Sequence, residues 1–420
     1  MTWTHSLGDR QHIMALSPES AAGPAPATAA PAPVQRVQRP QLTPFKTIKG
    51  TKHFTLSGVH VSFANAIRRT ILGHIPTLGI VGYPEADTTV KIALNTTPFH
   101  NEIIKQRLEC IPFGVDPLSD PETSYQLVNN LEVRLNVRND DPSQVRTVTT
   151  ADLELWDTQA NKPFSPEQKA QLLPTDPVTG EHELLVVLRP PVGSQPGDAL
   201  KLTATVQEVV ADKSSAYALA STCAYGNSED KEAKERAWAE AAGPTPSTDP
   251  MLRTLWEEQV GRQFKLDNSY DWQLRSIGWI TEGRLLVRAI EVLQRDLAKI
   301  AEKGEAGNLN VTKVKNTLAP HTFDVEITGD TYTLGHLLRH QLYDSVTHSS
   351  GMLRLVGFDK HHAHDKNGVL RMVFRNDASA ANASHLTARA AREAIAVFQD
   401  LLPHAQKLEA SQASKPTAKK

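Results

Sequence analysis

Two distant segments of this chain follow one plan, and that repetition constrains the fold more than any other feature. The first runs from Phe54 through SFANAIRR (Ser62–Arg69), and the second runs from Phe323 through TLGHLLRH (Thr333–His340). Each opens on a strand-like alternation, Phe54 and Leu56 in one and Phe323, Val325 and Ile327 in the other, because side chains two apart in an extended chain share a face. Each then offers a hydroxyl residue, Ser62 or Thr333, able to cap a helix by accepting an unpaired N–H of the first turn. A small residue (Ala64, Gly335), an apolar pair and an arginine (Arg68, Arg339) follow in the same order. Helical spacing puts Phe63, Ile67 and Ile71 on one face of the first helix, and Leu334, Leu338 and Leu342 on one face of the second.

Each half also carries a long amphipathic helix. Leu286, Ile290, Leu293, Leu297 and Ile300 draw a narrow apolar stripe over a predicted four to five turns. Ala391, Ala394, Ile395, Phe398 and Leu402 repeat it, and Pro403 is expected to bend or restart that helix. Strand, capped helix, further strands and long helix, occurring twice, leave two stripes that neither half can bury alone. The expected fold is α+β, with the two halves packed on each other about a pseudo-two-fold axis.

Between the halves the period is that of strands. Leu131, Val133, Leu135 and Val137 alternate with polar residues, as do Leu200, Leu202, Ala204 and Val206. Composition marks the boundaries. The Ala- and Pro-rich run AAGPAPATAAPAPV reads as part of a disordered tail over 1–44, and SQASKPTAKK places another over 412–420. EDKEAKERAWAEAA followed by GPTPSTDP predicts a short exposed helix and a loop. The expected organisation is a first module over 45–112 plus 258–305, a β-rich insert over 113–257 and a second module over 306–411.

Several function classes recede on composition. With 45 Lys and Arg against 47 Asp and Glu, the chain has no broad attraction for phosphate backbones. A 6% aromatic content and the lack of a basic stripe likewise favour plain core over a nucleic-acid platform in the central strands. Two distant cysteines, Cys110 and Cys223, make neither a disulfide framework nor a four-cysteine zinc site and fit a reducing compartment. Met1 to Ser20 lacks an apolar leader core and no long uncharged apolar run occurs, so secretion and a membrane span are not expected. His361, His362, His364 and Asp365 carry metal-ligating groups, but ligands this close in one loop diverge where a site needs convergence. No G-x-S-x-G elbow, phosphate-binding Gly-rich loop, H-E-x-x-H or Asp-x-Asp-x-Asp cluster is present. No catalytic residue, metal or cofactor is expected.

VSFANAIRRTILGHIPTLGI (Val61–Ile80), NTT (Asn95–Thr97) and EIIKQRLECIPF (Glu102–Phe113) resemble the signature of the RNA polymerase alpha subunit family, in the form of the third-largest archaeal and eukaryotic subunit. SIGWITEGRLLVRAIEVLQRDLAKI (Ser276–Ile300) is similar to the segment by which that subunit returns from its inserted domain. NTLAPHTFDVEITGDTYTLGHLLRHQLY and GFDKHHAHDKNGVLRMVF resemble the small alpha-like partner, the eleventh subunit of eukaryotic polymerase two, which also accounts for the histidine-bearing loop. The resemblance covers about three quarters of the chain. It implies two usually separate subunits fused in one polypeptide, as in large nucleocytoplasmic DNA viruses. Where the family has a Gly after Arg-Leu, this chain has Glu109, so that turn is expected to differ.

What the resemblance implies is a non-catalytic assembly subunit of a DNA-directed RNA polymerase. Phe63, Ile67, Ile71, Ile290, Leu293 and Leu297 would pair with Leu334, Leu338, Leu342, Ile395, Phe398 and Leu402. The partners would be two large catalytic subunits and small polymerase subunits, with DNA and RNA reached only through the complex and no membrane. Arg68, Arg69 and Arg339 would face the large subunits. For Arg107 two roles stand open, such a contact or an internal salt bridge. An intracellular location is implied: virion and host cytoplasm or nucleus for a viral chain, nucleus otherwise. The alternative is a free-standing adaptor that uses the pairing module to bind regulators.

Overall fold

The computed structural model describes residues 39–413, except 119–120, 177–178, 243–249, 316–318, 330, 349–350, 363 and 366. The chain opens with β1 (Gln41–Leu42), β2 (Lys46–Ile48), β3 (Thr51–Ser57) and α1 (Val61–Gly73). There follow β4 (Thr77–Ile80), β5 (Val90–Asn95), α2 (Asn101–Glu109), α3 (Pro121–Asn130), β6 (Leu131–Arg138), β7 (Arg146–Thr149) and β8 (Glu154–Asp157). Next come β9 (Lys162–Pro163), α4 (Pro166–Leu172), β10 (Leu184–Leu188), β11 (Ala199–Val209) and β12 (Ala220–Glu229). Then α5 (Lys231–Ala242), α6 (Pro250–Gln259), β13 (Lys265–Ser276) and α7 (Glu282–Glu305) lead to β14 (Val311–Lys313) and β15 (Thr322–Thr328). The last stretch holds α8 (Thr331–Leu342), a π-helical turn (Tyr343–His348), β16 (Leu353–Asp359), β17 (Asn367–Phe374) and α9 (Ala380–Ala413).

The mixture of sheet and helix is α+β, as expected. Two antiparallel sheets, β1-β3-β13-β12 with β2 beside β3, and β14-β15-β17-β16, line one hydrophobic core together with α1, α7, α8 and α9. A second core lies under β4-β11-β6-β8-β9 and the β7–β10 pair. Its centre is β11, which pairs with β6 along one edge and with β5 and β4 in turn along the other. Leu131, Val133, Leu135 and Val137 of β6 all point inward, so the alternation read from the sequence is the alternation of the sheet.

Core membership moves the expected seams. Leu78, Ile80, Val90, Ile104 and Leu108 belong to the second core although they precede residue 113, and Leu219, Ala220 and Cys223 belong to the first although they precede 257. The reason is long-range pairing: β4 and β5 take their partners from β11, and β12 takes its partner from β13. The expected N-terminal tail also gives way early, since Gln41 and Leu42 pair with Ser57 and Leu56. Residues 1–38 and 414–420 of the two expected tails lie outside the described residues. The exposed helix expected after Glu229 is α5, which has no buried residue and meets α6 through Trp238 and Trp256, their rings 5.3 Å apart.

Two expected caps are corrected, and of the two outcomes expected at Pro403 the restart does not occur. Ser62 is not the cap of α1: His60 is, its Nδ1 accepting the Ser62 N–H. Thr333 lies inside α8, where its buried hydroxyl finds no partner among the described residues. Helix α9 runs through Pro403 without ending. Pro403 and Gln399, whose carbonyl loses its intrahelical donor, are both on the exposed face, where water can serve that carbonyl, while Phe398, Leu401, Ala405 and Leu408 anchor the opposite face.

Candidate subunit interface

Helices α7 and α9 lie antiparallel along each other, α1 packs on α7, α8 packs on α9, and α1 and α8 meet each other. The close approach is permitted by a glycine near each end of α7. A Cβ at Gly283 would sit 2.5 Å from Glu409 Cα, and one at Gly304 would sit 2.8 Å from Ala388 Cβ. The helices are also stitched polar-to-polar at those ends: Gly283 N–H donates to Gln412 Oε1 at 2.7 Å, and Ser384 Oγ donates to the Gly304 carbonyl at 2.8 Å. Arg284 reaches Glu409 at 2.8 Å, and Arg392 pairs with Glu305.

Of the twelve apolar residues expected to join the halves, ten are buried in one core: Phe63, Ile67 and Ile71 of α1, Ile290, Leu293 and Leu297 of α7, Leu334, Leu338 and Leu342 of α8, and Phe398 of α9. Phe63 meets Phe398 directly, ring centroids 5.2 Å apart. Ile395 and Leu402 are half-buried on the shoulder, and Leu401 takes the central place instead. The stripe of α9 follows Ala391, Ala394, Phe398, Leu401, Ala405 and Leu408, a regular alternation of three and four residues that continues through Pro403.

The arginines fare differently. Arg68 is half-buried, and its Nε and Nη2 donate to Asn65 Oδ1 at 3.2 and 2.9 Å. Arg69 and Arg339 are exposed. Arg107 donates to the Leu185 carbonyl at 2.7 Å and lies 4.9 Å over the Phe99 ring, so its visible bond is internal, to a carbonyl rather than a carboxylate.

Sequence reasoning missed two polar anchors. Asp116 accepts from Arg284 Nε at 3.0 Å and from the buried Arg288 at 2.7 Å, which ties α7 to the loop that follows α2. Glu109 ends α2 in helical conformation and is buried, its Oε1 accepting the Gly82 and Tyr83 N–H groups at 2.9 and 3.1 Å and the Tyr217 hydroxyl at 3.4 Å. Burial first, and then the Glu109 charge, push the Tyr217 phenol well above its ordinary value. The departure Glu109 thus replaces a turn glycine with a side chain that satisfies a loop.

The histidine-bearing loop joins β16 to β17. There the His362 N–H donates to Asp365 Oδ2 and the His364 N–H donates to His362 Nδ1. Among the described residues no three His, Cys, Asp or Glu side chains converge as a metal site, and no helix is long and apolar enough to cross a membrane.

Two long helices packed along each other share one core with two short helices and two small sheets. The chain belongs to the RNA polymerase Rpb3/Rpb11 dimerisation domain family, whose model matches residues 53–297. Among individual proteins it is similar to the DNA-directed RNA polymerase subunit Rpo3 of Pyrococcus furiosus, 35% identical over 113 residues, which is 27% of this chain and 39% of that protein. The Rpo3 subunit of Pyrococcus horikoshii is 33% identical over 118 residues, again 27% of this chain and 39% of the relative. The matches therefore span about two fifths of the relatives' length.

Proposed function

We propose that this chain is a non-catalytic assembly subunit of a multisubunit DNA-directed RNA polymerase, and that it carries both members of an alpha-like pair. The first module comprises β1–α1 and β12–α7, the second comprises β14–α9, and the β4–β11 region is inserted in the first. The observation that carries this reading is the single core that α1 and α7 share with α8 and α9. The order of elements supports it too: β3, α1, β12, β13 and α7 recur as β15, α8, β16, β17 and α9. The proposal includes an approximate two-fold relating the two series.

In this reading the paired modules form a platform for two large catalytic subunits. Arg68, Arg69 and Arg339 lie on the helices that face them, where a guanidinium can fork onto carboxylates or carbonyls. Small polymerase subunits join the same assembly, while nucleotide addition and nucleic-acid contact belong to the partners. The proposal extends to an intracellular site of transcription and, from the fused order of the two signatures, to an origin in a large nucleocytoplasmic DNA virus. Affinity purification of the tagged full chain from its native source, followed by mass spectrometry, tests the assembly role. Two very large subunits should co-purify in stoichiometric amounts; a free monomer without them would refute the proposal.

A further inference from the structure

Where α1 and α8 touch each other, two imidazoles lie face to face. The His60 and His340 rings stack with centroids 3.6 Å apart and planes 12° from parallel. His60 is also the cap of α1, its Nδ1 accepting the Ser62 N–H at 3.2 Å, with Ser62 Oγ 3.0 Å away. An accepting Nδ1 carries no proton, so an intact cap requires an uncharged ring with its proton on Nε2. Both rings are half-buried. Phe63 stands edge-on to His340 at 6.4 Å, and Phe398 packs behind Phe63. The charged groups that act on the pair are Arg339, which opposes a further positive charge, and Asp344 of the π-helical turn, which favours one.

We propose that the His60–His340 stack is an acid-sensitive latch between α1 and α8, held by two uncharged rings at neutral pH and released when the pair takes up protons. A proton on His60 Nδ1 turns the cap's acceptor into a donor, and the first turn of α1 loses its side-chain partner. A proton on each ring sets like charges face to face within one ring-stacking distance. The inference rests on the α1–α8 contact alone and holds whether or not the chain assembles into a polymerase.

Electrostatics give the direction. Burial, and then Arg339, lower the affinity of His60 for a proton; burial, and then His60 itself, bring His340 down to about 4. A histidine whose folded value lies below its unfolded one contributes stability that is complete above the unfolded value near 6.5 and is lost as pH falls toward the folded value. The sensitive window is therefore about pH 6.5 to 4. His336, also on α8, is lowered by burial and Arg339 as well, but its ring packs against Phe358 of its own half, 5.3 Å away. It serves as the control.

Hydrogen exchange of the full chain, corrected for the intrinsic pH dependence of amide exchange, tests the latch. Between pH 7.5 and pH 5.0, opening at residues 60–66 and 337–343 should rise about tenfold or more relative to the β6–β11 core. The double variant His60→Gln/His340→Gln should flatten that response, and His336→Gln should leave it in place. Unchanged protection in the parent, or an undiminished acid response in the double variant, would overturn the proposal. Should the double variant fail to fold, ring-carbon NMR of the parent decides: His60 should titrate below an ordinary imidazole and His340 at about 4, and His340→Phe should return His60 toward its ordinary value. An unperturbed titration of His60 in the parent would sink the idea.

Discussion

Replacing Gly283 by alanine adds one methyl group at the point where α7 and α9 come closest, and the sign of the result tests the clasp. In an open helix the change would be favourable, because alanine exceeds glycine in helix propensity by about 1 kcal/mol. Here the new Cβ would lie 2.5 Å from Glu409 Cα and 2.7 Å from Glu409 N, closer than real Cβ atoms stand. Both atoms are backbone of α9, so no side chain can swing aside and the helices must part. Forcing a methyl into a packed contact costs about 1–3 kcal/mol, and separating the helices also strains the Gly283–Gln412 hydrogen bond, worth about 1 kcal/mol. These losses exceed the propensity gain, and a net destabilisation of about 2 kcal/mol is expected. Gly357 in β16 supplies the contrast, since a Cβ there meets nothing within 4 Å; Gly357→Ala should be neutral or stabilise by about 0.5 kcal/mol. Urea unfolding followed by tryptophan fluorescence, with Trp272 buried in the shared core, measures both. If Gly283→Ala proved as stable as the parent or more so, the backbone contact between α7 and α9 would be wrong.

Two further perturbations test the same core and its link to the rest. Leu338→Asp and Ile67→Asp each place a carboxylate where no solvent reaches and should lower stability by several kcal/mol; a melting temperature within a degree or so of the parent would contradict the shared core. Asp116→Asn removes the charge that holds the buried Arg288, which retains Glu291, and should cost about 2 kcal/mol with faster hydrogen exchange at residues 114–118; unaltered exchange there would show that the anchor is idle.

Periodicity made the helices and central strands legible. The four-three spacing from Leu286 to Ile300 is the buried stripe of α7, and the helix is longer than predicted because glycines at 283 and 304 extend the packed face without adding apolar side chains. For α9 a bend or restart expected at Pro403 favours Ile395 and Leu402; followed through the proline, the register passes to Leu401 and Leu408. Strand β12 escaped notice because ASTCAYGNSE buries only Ala220, Cys223 and Ser228, an irregular pattern broken by two register shifts against β13. The division of residues between the two cores was illegible for a related reason: β4 holds its place by bonding to β11, and a pairing across so many residues leaves no local trace. Capping by His60 went unseen because imidazole is an uncommon cap, and its role shows only when its ring is seen against His340.

That α9 covers α7 has a temporal side. On the ribosome the apolar flank of α7 is complete roughly a hundred residues before its cover is made, which at translation rates of about 5–20 residues per second leaves it bare for about 5–20 seconds. Through that interval the nascent chain is a sticky intermediate, vulnerable to capture by chaperones or by sister chains on the same message. Because α7 and α9 belong to one polypeptide, that exposure has a limit: the missing surface always arrives next, on the same molecule and in equal number.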